Sequence, residues 1–275
     1  MKKIAVLTNI TKDTSLKMAE RVAAYLDGRA EVYMADSSKL FNDYGVEYVP
    51  YEEIFNHVDI AIVIGGDGTL LRAATDCAMA KVPAVGINLG TVGFLTEVEV
   101  ADLEDALDAL LEGRYTTEKR TLLKAVINDG EDVCHVLNDI VVSKRDHEQL
   151  IHIDLYADGE LVYHYKADGL IIATPTGSTG YSISAGGPVV DPSMDLVVAT
   201  PICAHMLLAR SAVLSADKEL VIKLGRNNAI ISADGQKHRM FTSYDTVKIT
   251  KSEYKFELIK IGKSSFYNTL INKLS

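Results

Sequence analysis

Val58-Asp59-Ile60-Ala61-Ile62-Val63-Ile64-Gly65-Gly66-Asp67-Gly68-Thr69-Leu70 is the stretch whose reading decides the fold. Its first part is mostly apolar, and Ile60 to Ile64 has the length and β-branched content of a buried strand. Beyond it, residues 70–80 carry apolar side chains at helical spacing: Leu70, Ala73, Ala74, Cys77 and Ala78. Strand, glycine turn and helix start together make a phosphate-binding geometry. Gly65, Gly66 and Gly68 let the backbone come close to phosphate oxygens, and free N–H groups at the helix start attract an anion. Asp67 is the informative residue. A carboxylate beside phosphates is repulsive unless it holds a metal or takes a proton. The same five residues, 65–69, also fit an ordinary βα turn with Asp67 as the helix N-cap.

Working outward, Ile4 to Asn9 reads as a buried strand. Thr14 or Ser15 can cap a helix running to about Leu26, ending near Gly28. Glu31 to Ala35 is a second strand, and the mixed stretch 37–57 has no clear pattern. Pro83 to Asn88 is a further strand, ending in a second glycine-rich stretch, Asn88-Leu89-Gly90-Thr91-Val92-Gly93-Phe94-Leu95. Ala101 to Leu111 reads as a helix, with acids near its start and Gly113 after its end. Strands alternating with helices predict a parallel sheet, with ligands at the carboxyl ends of its strands.

After about Tyr115 the rhythm changes. Short β-like runs follow one another: 122–127, 133–143, 150–157, 160–165, 170–173, 220–224, 229–233, 246–250 and 254–260. Asn128-Asp129-Gly130 and Ala157-Asp158-Gly159 sit between runs as hairpin turns. Few intervals leave room for a long helix, so this half is predicted to be mostly antiparallel β, with 266–274 as a closing helix. Its most unusual segment, Asp168 to Pro188, holds five glycines and six Thr or Ser hydroxyls. Such a run is suited to ribose and phosphate oxygens, or it is a surface loop rich in turn residues. Tyr181 in its middle favours a ligand. Asn138-Asp139 interrupts an apolar strand just before Ile140-Val141-Val142, which marks either a bulge or a site.

At 275 residues, with 48% hydrophobic content, the chain has ample material for one or two cores. A net charge of −10 argues against a general nucleic-acid binder. Cys77, Cys134 and Cys203 lie far apart, which predicts neither disulfides nor a zinc site and fits a reducing, cytoplasmic compartment. The start, Met1-Lys2-Lys3-Ile4, is too quickly polar for a signal peptide, and no run approaches a membrane span. The seven histidines (His57, His135, His147, His152, His164, His205, His238) show no metal-ligand spacing. His205 reads as structural rather than catalytic, Lys144-Arg145 as a solvated strand end rather than a phosphate clamp, Arg210 as either a solvated side chain or a phosphate clamp, and Gly86, Gly90 and Gly93 as turn residues.

These motifs together resemble the NAD kinase family, the ATP-dependent enzymes that make NADP. The resemblance rests on Gly65 to Thr69, on Asn88-Leu89-Gly90 with Gly93-Phe94-Leu95, on Asn138-Asp139, and on the Asp168 to Pro188 run. Pro201-Ile202-Cys203-Ala204-His205 and Asp234-Gly235-Gln236 add to it. The glycine-Asp-glycine motif alone is shared with lipid kinases and phosphofructokinases, whereas the run through Thr176, Thr179 and Tyr181 is much more specific. The resemblance implies an α/β domain with a parallel sheet over 1–115, a β-rich NAD-binding domain over 116–262 and a closing segment over 263–275. It also implies an active site between the two domains.

Position by position, the resemblance makes Asp67 the acid that activates the 2′-hydroxyl of the adenosine ribose, near the metal-bound donor phosphate. Gly65, Gly66 and Thr69 form the phosphate loop, and Gly68 and Arg72 line the substrate. Asn138 holds the adenine side, and Asp139 binds hydroxyls of the nicotinamide-side ribose. Lys166 and Asp168 flank the nicotinamide end. Thr176, Thr179, Gly180, Tyr181, Ser182 and Ser184 line the dinucleotide, with Gln236 nearby. Three residues depart from the pattern: Glu is common at Asp139, Ala at Gly180 and Pro at Ala204.

The implied reaction is phosphoryl transfer from ATP with Mg²⁺ (or another divalent metal) to NAD, with no metal site fixed by the protein itself. The implied partners are NAD and ATP, with no nucleic acid and no membrane, in a homodimer or homotetramer. A lipid or sugar kinase would need an apolar pocket or a sugar-phosphate clamp in the second half, and the polar 168–184 run argues against the lipid version. A non-catalytic NAD(P)-binding sensor would have no need of Asp67.

Overall fold

The computed structural model of the chain describes residues 1–90, 93–130, 132–145, 149–206, 209–262 and 265–274. Thr91 and Val92 of the second glycine-rich stretch, and His147, lie outside the described residues. The chain divides into two units, one formed by 1–119 with 256–275 and the other by 120–255.

The first unit is the α/β half. Its elements are β1 (Lys3–Thr8), α1 (Lys17–Leu26), β2 (Glu31–Ala35), β3 (Val46–Val49), α2 (Tyr51–Ile54), β4 (Ile60–Gly65), α3 (Asp67–Ala80), β5 (Ala84–Asn88), β6 (Val98–Glu99) and α4 (Leu103–Glu112). The strands run parallel in the order β3-β2-β1-β4-β5, so the sheet grows one way from β1 and the other way from β4. All six residues of β4 are buried, as its β-branched composition requires for a central strand covered on both faces. Ile4, Val6, Ile60, Ile62, Val85 and Ile87 share one core with Val22 and Leu26 of α1 and Leu103 and Leu107 of α4. Burying each such large aliphatic side chain contributes about 1.5–3 kcal/mol.

Two local readings change. The first turn of α1 is held by Asp13, not by Thr14 or Ser15. The Asp13 carboxylate accepts the N–H groups of Met18 (2.8 Å) and Ala19 (2.9 Å), while Ser15 and Leu16 take positive φ in the turn before the helix. The unassigned stretch 37–57 contains β3, a short edge strand paired parallel to β2, and the single turn α2.

The second unit is antiparallel β. It comprises most of β7 (Thr116–Ile127), then β8 (Asp132–Val136), β9 (Asp139–Lys144), β10 (Ile151–Ala157), β11 (Glu160–Ala167), β12 (Gly169–Ala173), the turn α5 (Tyr181–Ser184), β13 (Leu196–Ile202), β14 (Ala212–Ser215), β15 (Leu220–Arg226), β16 (Ala229–Ala233), β17 (Lys237–Phe241) and the first part of β18 (Thr246–Lys260). One sheet has the order β14-β13-β12-β9-β16-β17, and β11-β10-β15-β18 forms the other. Their facing side chains make the second core. Ile140, Val142, Leu170, Ile172, Val197 and Phe241 come from the first sheet, and Ile151, Ile153, Leu155, Ile222 and Ile249 from the second. Ile151, Ile153 and Leu155 are buried while His152, Asp154 and Tyr156 between them are half-buried, the expected alternation.

The run read as one segment over 133–143 is two strands, broken at Leu137-Asn138. The second compact unit ends at Lys255. Leu258 pairs with Ala84 of β5 and Ile259 joins the first core, so the end of β18 belongs with the α/β unit. The closing helix, α6 (Phe266–Leu274), is present.

Candidate active site

In the first unit, the turn from β4 into α3 begins α3 at Asp67, with Gly66 before it. Thr69 and Leu70 donate their N–H groups to the Gly66 carbonyl at 2.8 and 3.2 Å. The earlier N–H groups of a helix start have no acceptor inside the helix and remain available to an anion. Gly68 and Arg72 are exposed and Asp67 is half-buried.

Asp67 is not the cap of its own helix. Its carboxylate reaches the second glycine-rich stretch, where Oδ2 accepts the Phe94 N–H at 2.7 Å. Oδ1 accepts the N–H groups of Leu95 (3.1 Å) and Thr96 (3.0 Å) and the Thr96 hydroxyl (3.0 Å). A carboxylate oxygen has about two lone-pair directions. Oδ1 is therefore saturated, and among the described residues Oδ2 has one donor and keeps one direction for another. Gly93 makes this approach possible, because a side-chain carbon there would fall 1.8 Å from Asp67 Oδ1. Gly86, read as a turn residue, lies in β5, where a side-chain carbon would fall 2.9 Å from the Cα of Thr96. Gly93 is likewise more than a turn residue, while Gly90 is one: its N–H and C=O are bracketed by the Asn88 side chain at 3.1 and 3.0 Å.

In the second unit, three segments meet around the break between β8 and β9. Thr174 donates its hydroxyl to the Leu137 carbonyl at 2.6 Å and its N–H to the Asn138 carbonyl at 2.9 Å. That draws the Thr176–Thr179 turn onto Asn138. Gly177 must be glycine there, since a side-chain carbon would meet the Asn138 carbonyl oxygen at 2.2 Å. The Asp234 carboxylate, on the β16–β17 turn, accepts three consecutive N–H groups: Leu137 and Asn138 at 2.8 Å and Asp139 at 3.0 Å. Gln236 of this turn was expected at the site, whereas Asp234 entered only as part of the Asp234-Gly235-Gln236 match. The available signal was its place in an Asp-Gly turn.

Asp139 is 7% exposed. Burial first, and then the charge of Asp234, push its carboxyl up to about 7. Burial also raises Asp234, but its three N–H donors oppose this. Among the described residues no donor reaches the Asp139 carboxyl, in keeping with its upward shift.

The remaining expected residues separate into two sets. Tyr181 (48% exposed), Ser184, Lys166 and Gln236 are open to solvent, and Thr179, Gly180 and Asp168 are half-buried. Ser182 is fully buried, with its hydroxyl against that of Thr200 at 3.0 Å, and Thr176 is buried in the turn. Lys144, read as a solvated strand end, pairs instead with Asp168, Nζ to Oδ1 at 2.7 Å. Among the described residues no three His, Cys, Asp or Glu side chains converge as a metal site. Among them, too, no helix is long and apolar enough to cross a membrane.

Comparison with known proteins bears on both units. The family model for the ATP-NAD kinase N-terminal domain matches residues 4–115, and that for the ATP-NAD kinase C-terminal domain matches residues 137–261. The NAD kinase of Caldanaerobacter subterraneus subsp. tengcongensis is 38% identical over 281 residues, covering 100% of this chain and 99% of that one. That of Thermoanaerobacter sp. is 38% identical over 284 residues, with the same coverage. Among solved structures, an NAD kinase from Archaeoglobus fulgidus in complex with ATP superposes with a TM-score of 0.77 at 31% identity, covering 99% of this chain and 98% of that one. Yeast NADH kinase complexed with NADH superposes with a TM-score of 0.87 at 24% identity, covering 100% and 87%; at that identity the likeness is one of fold.

Proposed function

This chain belongs to the NAD kinase family and is an ATP-dependent kinase of NAD, and we propose that it phosphorylates the 2′-hydroxyl of the adenosine ribose with Asp67 Oδ2 as the proton acceptor. The observation that carries the assignment is the asymmetry of the Asp67 carboxylate. Among the described residues Oδ1 takes three donors and Oδ2 takes one, which leaves Oδ2 the less engaged oxygen beside a helix start suited to phosphate.

In the proposed reaction the ribose O2′–H gives its proton to Asp67 Oδ2. A bond forms from O2′ to the γ-phosphorus, and the bond to the β,γ-bridging oxygen breaks to release ADP. A divalent metal arriving with ATP as part of the donor would offset phosphate charge. Gly65, Gly66 and Thr69 cradle the donor phosphates, and Gly68 and Arg72 line the acceptor. Asn138 and Asp139 hold the acceptor's sugar and base, with Asp234 fixing their backbone. Lys166 and Asp168 flank the nicotinamide end, Asp168 being braced by Lys144. Thr179, Gly180, Tyr181, Ser184 and Gln236 line the rest. A cytoplasmic homo-oligomer completes the proposal.

The test is formation of NADP⁺ from NAD⁺, ATP and Mg²⁺ by wild type and by Asp67→Asn. Loss of a general base lowers kcat by about 10²–10⁴-fold, with NAD⁺ binding little changed by calorimetry. A loss that higher Mg²⁺ repairs assigns Asp67 to the metal instead. A kcat equal to wild type at every Mg²⁺ level removes Asp67 from the chemistry.

A further inference from the structure

We infer that Lys12 is a donor-binding residue whose ammonium group contacts the phosphates of ATP; this rests on the reading of Gly65 to Thr69 as the donor's phosphate loop. The sheet order reverses between β1 and β4, and the crevice at the carboxyl ends of two such neighbours is where open parallel sheets take ligands. The glycine turn leaves β4 there. The loop leaving β1 folds onto it: the Asn9 N–H donates to the Ile64 carbonyl at 3.1 Å, and Asn9 Nδ2 donates to Thr69 Oγ1 at 3.2 Å.

Lys12 is the cation this loop carries to the turn. A side-chain carbon built on Gly66 would lie 2.8 Å from its Nζ, so the ammonium sits over the open backbone of the glycine turn. The residues on either side are anchored. The Asn9 carbonyl accepts the N–H groups of Lys12 and Asp13 at 2.9 and 2.8 Å. Asp13, 3% exposed, ties the loop to the first turn of α1 and accepts the Thr8 hydroxyl at 3.0 Å. Among the described residues no carboxylate pairs with Lys12, although acids outnumber bases 38 to 28 in this chain. A helix start offers a phosphate oriented N–H groups and partial charge. A triphosphate also needs full positive charge, which a lysine supplies as a mobile point charge.

The experiment compares wild type, Lys12→Ala, Lys12→Gln and Lys12→Arg as the full chain, with Asp67→Asn alongside. Affinity for Mg²⁺ with the non-hydrolysable AMP-PNP is measured by calorimetry without NAD⁺, followed by kcat/KM for ATP and for NAD⁺. The loss expected in Lys12→Ala and Lys12→Gln is about 10–100-fold in AMP-PNP affinity and in kcat/KM for ATP, the size of a lost charge-assisted hydrogen bond. NAD⁺ parameters at saturating ATP and the melting temperature stay as in wild type, and Lys12→Arg recovers most of the loss. Unchanged AMP-PNP affinity in Lys12→Ala, with Asp67→Asn inactive, overturns the role of Lys12 alone. Full activity in Asp67→Asn overturns the loop reading and Lys12 with it. An equal loss toward both substrates with a lowered melting temperature marks a structural role and also overturns the inference.

Discussion

Replacing Asp139 by asparagine should make the protein less sensitive to pH, by an amount the structure sets. Asp139 is buried beside Asp234, and its carboxyl is raised from 3.8 to about 7. Below pH 3.8 the folded and unfolded chains both hold this proton. Between 3.8 and about 7 the unfolded chain has lost it and the folded chain keeps it, so unfolding releases a proton. Stability from this group therefore falls as pH rises, by about 1.4 kcal/mol per pH unit. Across the whole window the loss is at most about 4 kcal/mol, and above it the curve levels off.

An asparagine side chain is neutral, has the same size and lacks this proton. The stability of Asp139→Asn relative to wild type should thus climb from pH 5 to pH 7 and then hold. The chain has no tryptophan, so urea unfolding is followed by far-ultraviolet circular dichroism at pH 5, 6, 7 and 8. For a chain of this size, about 1 kcal/mol corresponds to about 2–4 °C in Tm, so melting curves give an independent reading. Wild type and variant differing by a constant amount at all four pH values would refute the reasoning, because the Asp139 proton would then not be retained on folding.

Two further outcomes follow from the geometry. Gly93→Ala forces a methyl group against Asp67 Oδ1; it should cost about 1–3 kcal/mol as overpacking and lower kcat together with Tm, and an unchanged kcat would mean that the 93–96 backbone does not hold the base. Tyr181→Ala should raise the KM for NAD⁺ about three- to tenfold, the worth of one aromatic contact, while its half-exposed ring leaves Tm nearly unchanged; lost stability with intact affinity would place Tyr181 in the packing instead.

The parts of this molecule that were legible in its sequence are those with local causes. The Ile60–Ile64 strand, the Gly65–Thr69 turn and the α3 stripe are each set by residues within a few positions of one another. The change from alternating elements to short β runs marked the second unit for the same reason. β3 escaped because a four-residue edge strand, half-buried or exposed throughout, has no apolar run to show. β17, Lys237-His238-Arg239-Met240-Phe241, escaped because an edge strand can be largely polar. Lys144 was misread because its partner, Asp168, lies far along the chain and meets it only through the β9–β12 pairing.

The backbone clasps made by Asp67 and Asp234 were invisible for a deeper reason: the donors they hold are backbone N–H groups, which leave no residue type to recognise. The two acids form the same device. Each begins an Asp-Gly pair, and each carboxylate receives three consecutive N–H groups from a distant segment: 94, 95 and 96 for Asp67, and 137, 138 and 139 for Asp234. A segment that breaks from strand pairing leaves a row of donors that burial makes expensive to strand, and one carboxylate satisfies the row at once. The difference lies in what each carboxylate has beside it. Among the described residues Asp67 Oδ2 accepts one donor. Asp234 has Asp139 next to it, and its charge adds to burial in raising the Asp139 carboxyl.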